Sequence, residues 1–230
     1  MTKEQVNTLG DFIKNHFANQ QEVKVLDAGC GSVTHVKLLS HYKVTGIDIS
    51  EQQLERNKQN ISEKICGDIQ TYPLESQSFD MIICWWVLEH LKYPQKAMQN
   101  FKKALKTNGL IVLAIPNIWS VKGIVTKLTP TFVHIWFYRY VAKSKLSGKN
   151  GQGPFKTYLK TNISPINIKQ FAAKNKLEVV HFVYSTSFKK MKQLNPIVFV
   201  VQMFVGAVLW FFSFGKITQK NTEFVIVLKK

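Results

Sequence analysis

Short apolar runs alternate with helical segments along most of the chain, and this alternation constrains the fold more than any other feature. The predicted strands are VKVLDAG (23–29), KVTGIDI (43–49), EKICGD (63–68), FDMIICWW (79–86), GLIVLAIP (109–116), LEVVHFVYS (177–185) and EFVIVLKK (223–230). Continuous apolar strands separated by helices are typical of a parallel sheet that is covered on both faces. The pattern therefore predicts an α/β fold of the doubly wound type.

Capping residues mark the helices that join these strands. Ser50 is the predicted N-cap of the helix after the second strand, and Ser164 is the predicted N-cap of a helix over residues 164–176. A third helix is predicted over residues 94–109, with Gly109 as its C-terminal stop signal.

Two interruptions break the alternation, although the whole chain, residues 1–230, is predicted to form one domain. Residues 117–164 carry many aromatic side chains, a glycine-rich turn and no clean period, which indicates a cap inserted after the fifth strand. Residues 187–221 form a second, apolar insertion before the last strand.

The formal net charge of +17 narrows the classes of partner. Almost all of the positive charge comes from lysine, because Arg56 and Arg139 are the only arginines. Arginine supplies most bidentate contacts to bases and phosphates, so its scarcity weakens a nucleic-acid interpretation. A lysine-rich surface fits an anionic membrane at least as well, and it also fits simple solvation of the surface.

The cysteines and the N-terminal segment indicate a cytoplasmic protein. Cys30, Cys66 and Cys84 are far apart and lie in or beside apolar runs, which predicts buried, reduced thiols. No His, Cys and Asp residues have the spacing of metal ligands, so no metal is predicted. The first 20 residues have apolar side chains at helical spacing and predict an amphipathic helix rather than a signal peptide.

The ends of the first three predicted strands carry the residues of a ligand site. Gly29 and Gly31 form a turn between strand and helix of the kind that approaches a ligand closely. Asp48 ends the second strand, 17 residues after Gly31, where a carboxylate can accept both hydroxyls of a ribose. Asp68 ends the third strand, where it can accept from an adenine amine while the Ile69 amide donates to the ring. Together these residues predict an adenosine pocket.

An acid before the first glycine distinguishes among nucleotide ligands. A dinucleotide site prefers G-x-G-x-x-G/A, but Thr34 stands at the third small position here. The Asp27 carboxylate would repel a pyrophosphate and attract an ammonium group. The predicted ligand is therefore a nucleoside that carries a cationic amino-acid group rather than phosphates.

The stretch DAGCGSV resembles the first motif, D/E-x-G-x-G-x-G, of the class I S-adenosylmethionine-dependent methyltransferases. The stretch SFDMIICWWVLEHL, with the later elements Pro94, Gly109 and Pro116-Asn117, resembles the small-molecule branch called methyltransferase type 11. This resemblance implies a mostly parallel, seven-stranded, Rossmann-like sheet and S-adenosylmethionine as the cofactor. Val33 stands at the family's third glycine, where mild crowding of the cofactor is expected.

The resemblance also implies which residues form the site. The cofactor-binding candidates are Asp27, Ala28, Gly29, Cys30, Gly31, Asp48, Ile49, Gln53, Gly67, Asp68, Ile69 and Trp85. His90, in LEHL, is the candidate general base, and an orienting or packing role fits the sequence equally well. Families that methylate adenine or glutamine carry an (N/D)PP(Y/F) motif where this chain has CWWV, so an oxygen, carbon or other small-molecule centre is the expected acceptor.

Aromatic and basic residues of the cap predict a substrate site beside the cofactor. The substrate candidates are Trp86, Asn117, His134, Tyr138, Arg139 and Tyr158. Such a surface can bury an apolar or aromatic substrate and hold an acidic group. A self-contained hydrophobic cluster within the cap is the alternative.

Eighteen uncharged residues, from Ile197 to Phe214, form the most apolar stretch of the chain. A helix of that length is borderline for spanning a bilayer, and the strands before and after it are expected to be neighbours in one sheet. The lysines that flank it on both sides are Lys189, Lys190, Lys192, Lys216 and Lys220. We therefore expect a helix that lies in the membrane interface, with a core helix or a dimer interface as alternatives.

Three function classes remain open. The favoured class is a methyltransferase that acts on a hydrophobic or lipid-like small molecule, peripherally on the inner face of a membrane. An RNA methyltransferase is the second class, supported by the net charge and opposed by the scarcity of arginine. A noncatalytic binding protein that retains the fold is the third, and Val33 is its motivation.

Overall fold

The strands and helices are those of a computed structural model, which describes residues 3–34, 39–140, 144–145, 147–149, 153–185, 196–215, 217 and 220–230. The strands are β1 Val23–Ala28, β2 Tyr42–Asp48, β3 Glu63–Cys66, β4 Phe79–Trp85, β5 Leu105–Pro116, β6 Glu178–Ser185 and β7 Glu223–Lys229. The helices are α1 Lys3–His16, α2 Glu51–Arg56, α3 Pro94–Ala104, α4 Val121–Leu128, α5 Thr131–Tyr140, α6 Pro165–Lys174 and α7 Pro196–Phe212. Single 3₁₀ turns lie at Leu88–His90 and Thr161–Ile163.

The seven strands form one mixed sheet with the order β3-β2-β1-β4-β5-β7-β6. The first five strands in that order are parallel, and β7 runs antiparallel to both β5 and β6. The predicted α/β, mostly parallel, seven-stranded sheet is therefore confirmed. The predicted pairing of the last two strands is also confirmed, since β6 and β7 are neighbours at one edge.

Buried apolar side chains cover both faces of this sheet. Successive residues of a strand point to opposite faces, so Val25 belongs to one buried cluster and Leu26 to the other. Leu9 and Ile13 of α1, and Phe17 directly after it, pack into the cluster that contains Val25. Helices α3 and α6 contribute to the cluster on the other face. This arrangement confirms the predicted amphipathic character of the first helix.

The reversal of strand order positions the site. Strand β1 pairs with β2 on one side and with β4 on the other, so the connections that leave β1 and β4 turn away from each other. A crevice opens beyond the carboxyl ends of strands at such a switch point. The glycine turn after β1 and the Trp85-Trp86 segment after β4 lie on its two sides.

The boundary between α3 and β5 differs from the prediction of a helix over residues 94–109. Helix α3 ends at Ala104, because Leu105 takes an extended conformation, with φ −75° and ψ 131°, and its side chain is buried. Gly109 is therefore not a helix stop signal and lies within β5. A side chain there would clash with its surroundings, since a Cβ would lie 2.8 Å from Leu105 Cδ1 and 2.9 Å from the Asp80 carbonyl oxygen.

Other boundaries shift by less. The third strand ends at Cys66, so Asp68 lies in the loop after it rather than at its last position. Ser50 and Ser164 are confirmed as N-caps, and each hydroxyl accepts from the backbone amide three residues later.

Both insertions contain helices. Residues 117–164 lack a clean period in the sequence but form α4 and α5, with Ser120 as the N-cap of α4. The apolar stretch forms α7, which is 17 residues long and contacts α4. No helix within the described part of the chain is long and apolar enough to cross a bilayer. Lys189, Lys190, Lys192 and Lys216 lie outside the described residues.

Candidate cofactor and substrate site

A cavity of about 690 Å³ lies beyond the carboxyl ends of β1, β2 and β4. It is lined by the glycine turn, by the loops after β2, β3 and β4, and by a segment of the cap that contains Phe155 and Tyr158. All predicted cofactor-binding residues except Asp27 and Ala28 line it: Gly29, Cys30, Gly31, Asp48, Ile49, Gln53, Gly67, Asp68, Ile69 and Trp85. The sequence-predicted residues are thus largely assembled around one space.

The glycine turn has the geometry that only glycine tolerates easily. Gly29 has φ +77° and Gly31 has φ +51°, which is the left-handed region. A Cβ on Gly29 would lie 2.4 Å from Val87 Cγ2, so the turn packs directly against the segment after β4. A Cβ on Gly31 would meet nothing within 4 Å, so the chain leaves open space there for a ligand. Val33 also lines the cavity, with 53% of its surface exposed.

Asp48, at the end of β2, connects the glycine turn to the loop after β2. Its Oδ2 accepts from the Gly31 amide at 2.9 Å, and its Oδ1 accepts from the Ser50 amide at 2.8 Å. Each carboxylate oxygen can accept more than one hydrogen bond, so these contacts leave capacity for ligand hydroxyls. Asp48 therefore has a structural role in the turn in addition to its position at the cavity.

Asp68 has a neighbour that the sequence analysis missed. The Gln70 amide nitrogen Nε2 donates to both carboxylate oxygens of Asp68, each at 3.0 Å, and Gln70 Oε1 accepts from the Tyr93 amide. Gln70 also lines the cavity. The sequence offered one signal for this role, which is the position of Gln70 two residues after Asp68. A carboxylate in a loop commonly accepts a hydrogen bond from the residue two positions later.

Asp27 and Ala28 do not line the cavity, in contrast to the prediction. The Asp27 side chain is buried and accepts from the Thr34 hydroxyl at 2.5 Å, so it lies against the loop rather than at the cavity surface. The pKa of Asp27 is raised to about 6, chiefly by burial; the hydrogen bond from Thr34 opposes the shift and the Asp48 carboxylate adds to it. A cationic group nearby would favour the ionised form of this carboxyl.

His90 lies where two cavities meet. It lines the first cavity and also a second one of about 480 Å³, and Phe155 is the other residue that the two cavities share. His90 Nδ1 lies 2.9 Å from the Lys156 carbonyl oxygen. A carbonyl can only accept, so Nδ1 carries the proton of the neutral ring and Nε2 keeps a lone pair. Burial lowers the pKa of His90, although that hydrogen bond opposes the shift, so the neutral form is favoured.

Four of the six predicted substrate residues line one of the two cavities, and the other two line neither. Trp86 and Tyr158 line the first cavity, whereas His134 and Tyr138 line the second. Trp86 has φ +56°, a costly conformation for a bulky residue that is commonly associated with functional sites.

Two substrate predictions are not supported by the positions of the side chains. Asn117 lines neither cavity, because its side chain donates to the Asn221 carbonyl and accepts from the Trp119 amide. Arg139 also lines neither, because its Nε donates to the Ser147 carbonyl oxygen at 2.7 Å. Both residues stabilise the cap or its junction with the sheet.

The described residues contain no group of three or more His, Cys, Asp and Glu side chains that could hold a metal ion. An adenosine moiety fits the first cavity, since acceptors for ribose and adenine lie at its rim and the glycine turn is open toward it. The sheet order and the position of this cavity define the fold class of the class I methyltransferases.

Comparisons with known proteins agree with this class. Residues 26–113 match the family model described as a methyltransferase domain. An S-adenosylmethionine-dependent methyltransferase from Methanosarcina mazei has a similar fold, with TM-score 0.55, 16% identity and coverage of 95% of this chain and 96% of that one. The YcgJ protein from Bacillus subtilis superposes with TM-score 0.60 at 14% identity, over 97% of both chains. Residues 26–113 therefore resemble a methyltransferase domain, and the chain as a whole has the fold of S-adenosylmethionine-dependent methyltransferases.

A ubiquinone biosynthesis O-methyltransferase from Coxiella burnetii is 32% identical over 102 residues, which are 40% of this chain and 43% of that protein. The chain spans less than half the length of the curated relatives that it matches first. The similarity therefore covers only part of those proteins, and it leaves the acceptor to be argued from the site.

Proposed function

We propose that this protein transfers a methyl group from S-adenosylmethionine to a hydrophobic or lipid-like small molecule, at a membrane surface. The observation that carries the proposal is that two cavities share His90 and Phe155 in their linings. One cavity lies at the switch point and fits the cofactor, and the other lies under the cap. A methyl donor and an acceptor would meet at the shared residues.

The chain's own residues bind and orient in this proposal. Asp48 would accept the ribose hydroxyls, Asp68 would accept from the adenine amine, and the charge of Asp27 would favour the ammonium group. S-adenosylmethionine supplies a methyl group that is already activated by its sulfonium, so the protein needs mainly to align the acceptor and exclude water. For a hydroxyl acceptor, His90 Nε2 would take the hydroxyl proton, while the cofactor would supply the methyl group and retain the electron pair of its carbon–sulfur bond.

An oxygen atom is the acceptor that the site favours. His90 is held neutral with a lone pair on Nε2, which suits removal of a hydroxyl proton at neutral pH. The Coxiella burnetii relative, a ubiquinone biosynthesis O-methyltransferase, supports the same chemistry and a hydrophobic substrate.

The membrane part of the proposal rests on two exposed helices. In α7, which contains no charged residue, Phe204 and Phe211 are each 71% exposed. In α5, the exposed aromatics Phe132, Trp136 and Tyr140 recur every four residues and share one face. Apolar helices on a protein with a net charge of +17 suit the interface of an anionic bilayer. Residues 117–164 and 187–221 would then act as substrate cap and membrane-docking insertion of a single domain.

Transfer of labelled methyl groups tests the enzymatic part. The protein is incubated with methyl-labelled S-adenosylmethionine and either a total lipid extract or a total RNA extract. The expected result is label in lipid and none in RNA. Label in RNA would establish the RNA methyltransferase instead, and bound cofactor without transfer to either extract would leave the noncatalytic binding protein.

Liposome flotation tests the membrane part. Wild-type protein should float with vesicles of phosphatidylglycerol and should be released only in part by high salt, since salt screens lysine attraction but not apolar insertion. The double variant Phe204→Ser/Phe211→Ser should stay in solution. Val6→Ser, which changes an exposed apolar residue of α1, is the matched control. Failure of the wild-type protein to float with these vesicles would refute membrane docking.

A further inference from the structure

Glu89 is a buried carboxyl group that the cofactor site does not use. Only 4% of its surface is exposed, and its Oε2 has no hydrogen-bond partner among the described residues. A buried polar atom without a partner costs the fold stability. Such a cost at a cavity points to a ligand that supplies the missing bond.

Hydrogen bonds hold the main chain at Glu89 in place. The Glu89 carbonyl accepts from the amides of Tyr158 at 2.8 Å and Leu159 at 3.0 Å, which ties the cap segment to the 3₁₀ turn after β4. These bonds involve only the main chain, so they persist when the side chain is replaced. The main chain at Glu89 is therefore held in place independently of the group that its side chain would bind.

The second cavity gives Glu89 a setting for binding. Glu89 lines it together with His90, Lys122, His134, Tyr138 and Phe155. This cavity shares His90 and Phe155 with the one that fits the cofactor. A molecule that fills it would contact Glu89 at one end and approach the methyl donor at the other.

The charges around Glu89 restrict what that molecule can be. Burial raises the pKa of Glu89 to about 8, the nearby Lys122 lowers it in part, and Glu223 raises it. The carboxyl group is therefore mostly protonated at pH 7, when it offers a hydrogen bond rather than a charge. An anionic ligand group would be repelled by the Glu89 carboxylate whenever Glu89 ionises. A cationic ligand group would be repelled by Lys122. An uncharged hydroxyl suits both neighbours.

We propose that Glu89 is an acceptor-binding residue whose Oε2 hydrogen-bonds a hydroxyl group of an aromatic methyl acceptor held in the second cavity. The aromatic ring would pack against Tyr138 and Phe155, which line the same space. The inference deepens the proposed function, on which it rests, by naming the chemistry of the acceptor and a residue that selects it.

Binding of two matched probes tests the role of Glu89. Catechol and 1,2-difluorobenzene have similar size and shape, but only catechol carries hydroxyls. Each is titrated by calorimetry into protein saturated with S-adenosylhomocysteine. Wild-type protein should bind catechol at least roughly tenfold more tightly than the difluoro compound, as expected for one hydrogen bond to a buried group. Glu89→Leu should abolish that preference, and Glu89→Gln, which keeps a hydrogen-bonding group, should restore part of it.

Controls separate this inference from the proposed function. Glu63→Gln changes an exposed glutamate of β3 and should keep the wild-type preference. Catechol should also shift the infrared carbonyl band of the protonated Glu89 carboxyl, a band that Glu89→Gln lacks, so the test does not depend on the folding of Glu89→Leu. Equal binding of the two probes by wild-type protein, no binding of catechol, or an unshifted band would overturn the role of Glu89. If S-adenosylhomocysteine itself does not bind, the proposed function fails, while the same titrations of the ligand-free protein still decide the role of Glu89.

Discussion

Replacement of Asp48 tests the cofactor site at a residue that both stabilises the glycine turn and is proposed to bind the ribose. In Asp48→Ala, the ribose would lose two charge-assisted hydrogen bonds, a loss on the order of 2 to 4 kcal/mol or roughly 30-fold to 1000-fold in affinity. The Gly31 and Ser50 amides would also lose their acceptors, so the turn is expected to lose stability. Asp48→Asn keeps one acceptor oxygen and should weaken binding by an intermediate factor.

Titration calorimetry with S-adenosylmethionine, alongside thermal unfolding, separates these two effects. Glu51→Ala is the matched control, because it removes one negative charge from the adjacent helix α2 at a residue that does not line the cavity. It should bind the cofactor within about threefold of wild type, since an exposed charge contributes little. A folded Asp48→Ala protein with unchanged affinity would refute the assignment of Asp48 to the ribose.

Three further predictions follow from individual residues. Val33→Gly should bind S-adenosylmethionine at least as well as wild type in the same titration, because the valine side chain intrudes only mildly on the cavity, and clearly weaker binding would show that the turn depends on valine. Affinity for S-adenosylmethionine should rise by up to about tenfold from pH 5 to pH 7 as Asp27 ionises around its pKa of about 6, and Asp27→Asn should remove that rise. A pKa of about 8 for Glu89 in the folded protein lies above its unfolded value, so this group costs stability as pH rises from about 4.5 to 8. The melting temperature of Glu89→Gln should therefore rise relative to wild type over that interval, by about 2 to 4 °C for each kcal/mol of stability that wild type loses. A difference in melting temperature that stays constant with pH would contradict the burial effect.

Local sequence patterns predicted the parts of the site that a single turn determines. Gly29, Gly31 and Asp48 follow directly from strand ends and a tight turn, and the structure assembles them around one cavity. The burial of Asp27 was not predictable in the same way, because it depends on the Thr34 hydroxyl that turns back onto it. The motif specified an acid at this position without specifying whether the side chain reaches the surface of the cavity.

Long-range packing decides the parts that the sequence did not predict. Glu89 is adjacent to His90 in sequence, but the second cavity exists only because α4, α5 and the segment around Phe155 fold back over the 3₁₀ turn. The same folding removes Asn117 and Arg139 from the candidate substrate residues, since both are engaged in bonds within or beside the cap. The early end of α3 has a similar origin, because Leu105 pairs with Phe79 of β4 rather than extending the helix.

A crystal structure with S-adenosylhomocysteine tests the central claim most directly. The account predicts that the ligand occupies the cavity between β1 and β4, with both ribose hydroxyls within hydrogen-bond distance of Asp48 and the sulfur directed toward His90 and the second cavity. A ligand bound elsewhere, or a ribose turned away from Asp48, would contradict it.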